Sequence, residues 1–230
     1  EFGGDALFAL ARDKSPDGRK ALVEAIGALS DGEGSTLSDR ERGLMFDILG
    51  HLVHQTEMSV RRTVSACLAE LPDAPRDLIR LLANDDIEIA YPVLTNSGVL
   101  QDEDLIEVMR HRTQEHQLAI TIRSTINESV SDALVETGNE NVIRSLLKNT
   151  DAKISRSTME HLIEQSKRID SFQEPILHRR ELDPELVTEM FAWVSTALRQ
   201  YIADDWDLDS GTVDSLLERA TAREVQAAAY

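Results

Sequence analysis

Few places in the 230-residue chain bring together side chains that could do chemistry at a useful spacing. His51 and His54 lie three apart on a helical pattern, so both rings could reach one metal ion, but no third ligand accompanies them. Glu160-His161-Leu162 sets an acid beside a histidine, as phosphoacceptor helices do. Its Leu162-Ile163 belongs to a periodic apolar stripe, however, and no nucleotide-binding motif follows. Residues 30–36, SDGEGST, hold the glycines of a phosphate cradle without the Lys-Ser/Thr ending that completes one. Residues 204–210 are rich in oxygen ligands but lack the register of a Ca²⁺ loop. The single cysteine, Cys67, cannot form an intrachain disulfide; beside Val64 and Leu68 on an apolar face it reads as a buried structural thiol. Neither GxSxG, HExxH, paired-Cys zinc spacing, a Walker lysine motif nor a dinucleotide glycine triplet occurs. The expectation is therefore a protein that is not an enzyme, with no catalytic residue, metal or cofactor.

Two groups stand out as binding candidates. The first is Asp85 and Asp86 with Tyr91 and Pro92, features that set one segment apart from its relatives along the chain. The second is cationic: Lys167-Arg168 and Arg179-Arg180 lie in residues 144–180, where eight bases face five acids. An anionic, nucleotide-like ligand would meet the chain there. Elsewhere acids dominate, 42 against 24 bases for a formal charge of −18, and residues 181–230 alone hold eleven acids and three bases. Such a surface repels phosphate backbones, so nucleic acid is not an expected partner. No apolar run approaches the ~20 residues of a membrane span and no signal peptide is visible, so neither a membrane nor export is expected. The default is cytoplasmic. Glu1 stands where Met would begin a chain, and Glu1-Phe2 resembles a cloning remnant, which reads as a piece cut from a longer protein.

The elements that must position these groups are helical throughout. Hydrophobic residues make up 41% and aromatics only 4%, which points to an aliphatic helical core. Residues 5–12 and 16–29 read as two helices, and Ser38 with Glu41 forms a capping box for a third carrying Leu44, Met45, Ile48, Leu49, Leu52 and Val53. A fourth spans about 58–70. From there a Leu followed by Ile or Val recurs as Leu78-Ile79, Leu105-Ile106, Leu134-Val135, Leu162-Ile163 and Leu186-Val187, at steps of 27, 29, 28 and 24 residues. Before each stands an apolar residue and a polar cap: Leu71 with Asp73, Leu100 with Asp102, Ile126 with Asn127, Ile154 with Ser155, Leu182 with Asp183. Second helices fall near 86–95, 115–124, 140–148 and 170–178. Two short helices per period make an α-hairpin repeat, and stacked hairpins build a solenoid. Pro92 should kink or shorten its helix after Ala90. Asp183-Pro184-Glu185 opens a five-turn stripe to Ile202, and a last helix carries Val213 to Val225.

The phrases PDAPRDLIRLLANDDIEIAYPVL, LQDEDLIEVM, HQLAI and VSDALVETGNENVIRSLL resemble a bacterial family called domain of unknown function 2336, over roughly residues 60–200. The resemblance implies stacked helices of the HEAT or armadillo type and brings no reaction or cofactor.

The resulting expectation is an all-α chain of stacked short α-hairpins, a HEAT/armadillo-like superhelix with a longer C-terminal hairpin. Residues 1–55 would continue the solenoid of 56–182, and 183–230 would cap it or form a homodimer. Its role would be that of a non-enzymatic scaffold for another protein, in bacterial signalling or regulation; the alternative is a sensor of a small anion on the basic stretch.

Overall fold

The computed structural model describes residues 13, 15–30, 39–55, 57–206 and 211. Among them every regular element is a helix, and the one strand-like feature is an isolated parallel bridge between Ile126 and Ala152. The helices expected over 5–12 and 213–225, and the Ser38 capping box, lie outside the described residues. The chain divides into two compact units, Glu1–Ser124 and Thr125–Tyr230.

The first unit holds α1 (Pro16–Ser30), α2 (Asp39–Gln55), α3 (Met58–Ala69), α4 (Arg76–Ala83), α5 (Ile87–Asn96), α6 (Asp102–His111) and α7 (Gln114–Thr121). Helices α2 and α3, α4 and α5, and α6 and α7 pack as hairpins, while α1, α3, α5 and α7 each lie against the next. The cause is legible in α5. Ile89, Ala90, Val93 and Leu94 are all fully buried, at i, i+1, i+4 and i+5, which is wide enough to face a neighbour on either side. Close approach of α3 and α5 depends on Ser65, a small residue with no exposure, whose hydroxyl donates to the Ile89 carbonyl of the neighbouring helix. Burial of this kind also overrides Pro92. The helix is not shortened after Ala90 but runs on to Asn96, because packing against α3, α4 and α7 outweighs one missing N–H.

The second unit holds α8 (Glu128–Glu136), α9 (Glu140–Lys148), α10 (Arg156–Ser166), a 3₁₀ turn (Asp170–Phe172) running into α11 (Gln173–Leu177), α12 (Pro184–Met190) and α13 (Thr196–Asp205). Helix α8 pairs with α9, α10 with α11, and α9 lies against α11. Gly138, at φ +66°, ends α8 in the left-handed conformation that costs glycine least. The next residue, Asn139, then caps α9 by accepting from the Asn141 and Val142 amides. The five-turn helix expected from 184 to 202 is instead two helices. Ser195 starts α13 afresh by accepting from the Leu198 amide, and Phe191 and Val194 are buried in the turn between them. Periodicity alone does not register such a break, because the turn keeps its apolar residues inward.

Caps follow the expected order only in part. Ser155 and Asp183 accept from amides of their helices as expected, at 3.2 and 3.0 Å. Helix α6 is capped instead by Gln101 with Asp104, whose carboxylate accepts from the Gln101 amide at 3.0 Å. Asp73 caps nothing; it pairs with Arg42.

Candidate functional site

Asp85 belongs to the frame. Its carboxylate meets the Arg61 guanidinium and accepts the Asp86 amide, and its side chain is only 15% exposed. Its carbonyl accepts from Nε2–H of the buried His116 at 2.9 Å, leaving Nδ1 of that ring to accept from the Thr113 hydroxyl. One residue thus ties α3, the corner before α5 and α7 together. Asp86 is exposed at the start of α5 and its side chain makes no capping bond.

Tyr91 and Pro92 occupy a different position. Three sides of α5 are covered by α3, α4 and α7. The side left open carries Glu88, Tyr91, Pro92 and Thr95, at i, i+3, i+4 and i+7, with Tyr91 48% exposed. Corresponding open stripes run along α3 (Arg62, Ala66, Glu70) and α7 (Glu115, Leu118, Ile122). Asn96 at the end of α5 donates to Glu70 at the end of α3 at 3.1 Å, which joins two of these stripes. The apolar members of these stripes are Ala66 on α3, Tyr91 and Pro92 on α5, and Leu118 on α7 with Ile122 just past its end. Their acids are Glu70, Glu88 and Glu115, with Arg62 the one base among these stripe residues.

The four cationic candidates are not equivalent. Arg179 is fully buried and spends all five N–H groups internally. Nε donates to Glu181 at 2.7 Å, and Nη1 to the carbonyls of Leu147 (3.3 Å) and Asn149 (2.8 Å). Nη2 meets the Ala152 carbonyl and Glu181. The expectation that Arg179 meets an anionic ligand does not fit this placement, because no donor is left to offer one. Lys167 is drawn to Glu164 and Glu189 and lies over the Trp193 ring at 4.7 Å, and its ammonium is held above the ordinary lysine range chiefly by the Glu164 hydrogen bond. Arg168 is exposed. Arg180 is exposed and makes no hydrogen bond or ion pair among the described residues. It lines a cleft of about 460 Å³ with Leu177, His178, Tyr201, Asp205 and Trp206.

Two further buried charges are likewise spent within the frame. Asp104, 4% exposed, takes Arg76 at 2.9 and 3.0 Å and Arg80 at 3.1 Å. Burial pushes its carboxyl up, but the Arg76 hydrogen bond, the Gln101 amide and the two guanidinium charges prevail and hold it below the ordinary aspartate value. Buried Arg123 donates to the carbonyls of Leu94 and Ser97, and burial draws it below the ordinary arginine range despite the opposing pull of Asp102. Sequence reasoning missed Arg123 altogether; its signal is position, just past a second helix, as Arg179 is.

His51 and His54 are exposed on α2, and among the described residues no three His, Cys, Asp or Glu side chains gather as a metal set. Cys67 is half-buried, with Gly27 of α1 close enough that a Cβ there would lie 3.2 Å from its sulfur. No helix among the described residues is long and apolar enough to cross a membrane.

A family model described as an uncharacterised protein conserved in bacteria, DUF2336, matches residues 89–230. No curated protein and no solved structure matches the chain.

Proposed function

The chain belongs to the bacterial DUF2336 family, and we propose that it is a non-enzymatic scaffold that holds another protein against the open stripes of α3, α5 and α7. The observation that carries this reading is the face around Tyr91. Three neighbouring helices each leave a stripe open, with Tyr91 and Ile122 the large apolar side chains exposed on them, and the charges of these stripes are three glutamates to one arginine. Aromatic anchors at the centre of a patch supply most of the binding energy at protein interfaces, while rim charges select the partner and speed its approach. The complement of this face is a basic segment with one apolar side, such as an amphipathic helix rich in lysine and leucine.

Its test is fluorescence anisotropy with a labelled Lys/Leu amphipathic peptide. The expected result is saturable binding that weakens about tenfold in Tyr91→Ser, a loss of ~1.4 kcal/mol, because that change leaves the net charge untouched. Glu174→Lys, an exposed change in the second unit, should leave the affinity within about twofold. Binding that ignores Tyr91→Ser, or tracks only total charge across both variants, refutes the proposal.

A further inference from the structure

The cleft beside Arg180 holds a set of groups that the frame does not use. Its floor is rigid: Arg179, the preceding residue, is clamped by three carbonyls and Glu181, so the backbone that presents Arg180 is pinned. The same clamp takes Glu181, the carboxylate next to Arg180 in sequence, and leaves the Arg180 guanidinium without an internal partner among the described residues. One wall is aromatic. His178 stacks on Tyr201 with ring centroids 4.7 Å apart and planes 22° from parallel, and Trp206, the residue just past the end of α13, lines the same cleft. The His178 ring is fixed by Nδ1–H donating to the Glu174 carbonyl at 2.7 Å, which leaves Nε2 for another partner. Asp205 adds a single acceptor.

A guanidinium suits a phosphate or carboxylate, because its fork of N–H groups can grip two oxygens at once. Flat side chains suit a flat ring. A carboxylate at the rim suits a ring amino or hydroxyl group. A volume of about 460 Å³ falls within the usual range for small-molecule sites, ~300–1,000 Å³. From these we infer that the cleft between the end of α11 and α13 binds a small aromatic anion of the nucleoside monophosphate class, with Arg180 on the phosphate and Trp206 against the base. The site lies wholly in the second unit and does not depend on the docking face around Tyr91.

The experiment uses the full chain and titrates AMP, GMP, CMP and UMP in turn, with adenosine and inorganic phosphate as the two half-ligands, following tryptophan fluorescence and calorimetric heat. At least one nucleotide should bind in the micromolar-to-millimolar range and about tenfold or more tighter than either half-ligand. Arg180→Ala should weaken it by about tenfold or more, as expected for loss of a charge-assisted contact, and Trp206→Phe should abolish the quenching while heat is still released. Tyr91→Ser should leave nucleotide binding unchanged. No binding by any nucleotide at millimolar concentration overturns the inference. So does phosphate binding as tightly as the best nucleotide, or affinity that is indifferent to Arg180→Ala in a variant whose circular dichroism matches the parent.

Discussion

Replacing Arg179 by methionine should destabilise the second unit more than any surface change, although the residue reads from sequence as a ligand-binding base. Arg179 bonds the carbonyls of Leu147, in the last turn of α9, and of Asn149 and Ala152, just beyond it, and is neutralised by Glu181. Methionine fills much of the same volume and removes every donor. Each buried acceptor left unpaired costs about 1–3 kcal/mol. Water reaching the half-buried Asn149 and the release of a cation from its buried site offset part of that, so a net loss of about 3–5 kcal/mol is expected. That is a large fraction of the ~5–15 kcal/mol that holds a domain together. Arg179→Lys should recover only part of it, because an ammonium has three donors and no planar fork. Glu181→Gln, at a half-exposed position, should cost about 1 kcal/mol or less. Urea unfolding followed by far-ultraviolet circular dichroism measures all three. An Arg179→Met variant within about 1 kcal/mol of the parent, with an unchanged denaturant slope, would refute the clamp.

Other outcomes follow from the same geometry. Asp104→Asn should lower stability near neutral pH by about 1–2 kcal/mol. The parent should lose that increment on acidification: a carboxyl held below its ordinary value stabilises the fold above that value, and the contribution disappears as pH falls through the lower, folded one. A parent-minus-Asn difference that stays constant from pH 7 to about pH 2 contradicts the assignment. Gly138→Ala should cost about 1–2 kcal/mol, because its φ of +66° is retained by the turn that lets Asn139 cap α9; an unchanged urea midpoint would show that the turn relaxes.

The helices themselves were legible because each carries its apolar residues at helical spacing, and Val142, Ile143, Leu146 and Leu147 mark α9 almost to the residue. What the pattern did not disclose is how polar side chains are spent. Asp85 and Arg179 looked like site residues because an acid pair and an arginine pair look alike whether they face solvent or a row of carbonyls. The break between α12 and α13 was hidden for a related reason: Phe191 and Val194 stay inward through a turn, so burial periodicity survives where the hydrogen-bond ladder does not. Tyr91 was legible as unusual. Its exposure was not, since it depends on which side of α5 the neighbours leave open.

One signal was present in the sequence and becomes readable once the contacts are known. Arginines pair with acids about one period further on: Arg61 with Asp85, 24 residues later; Arg76 with Asp104, 28; Arg80 with Glu107, 27; Arg156 with Asp183, 27. These intervals fall in the same range as the steps of the Leu-Ile stripe, so the register that stacks apolar residues also brings opposite charges together, some of them, as at Asp104, out of water. The two buried arginines keep the same period in another way: Arg123 and Arg179 are 56 apart, two such steps, and each reaches back to carbonyls at the end of the second helix of the preceding hairpin, Leu94 and Ser97 for one, Leu147 and Asn149 for the other. With 42 acids against 24 bases, and several of its arginines committed in this way, the chain keeps a surplus of acids. That surplus is the physical reason to look for a basic partner at Tyr91, while Arg180, which has no internal partner among the described residues and lines a cleft with His178, Tyr201 and Trp206, is the cation placed to meet a ligand.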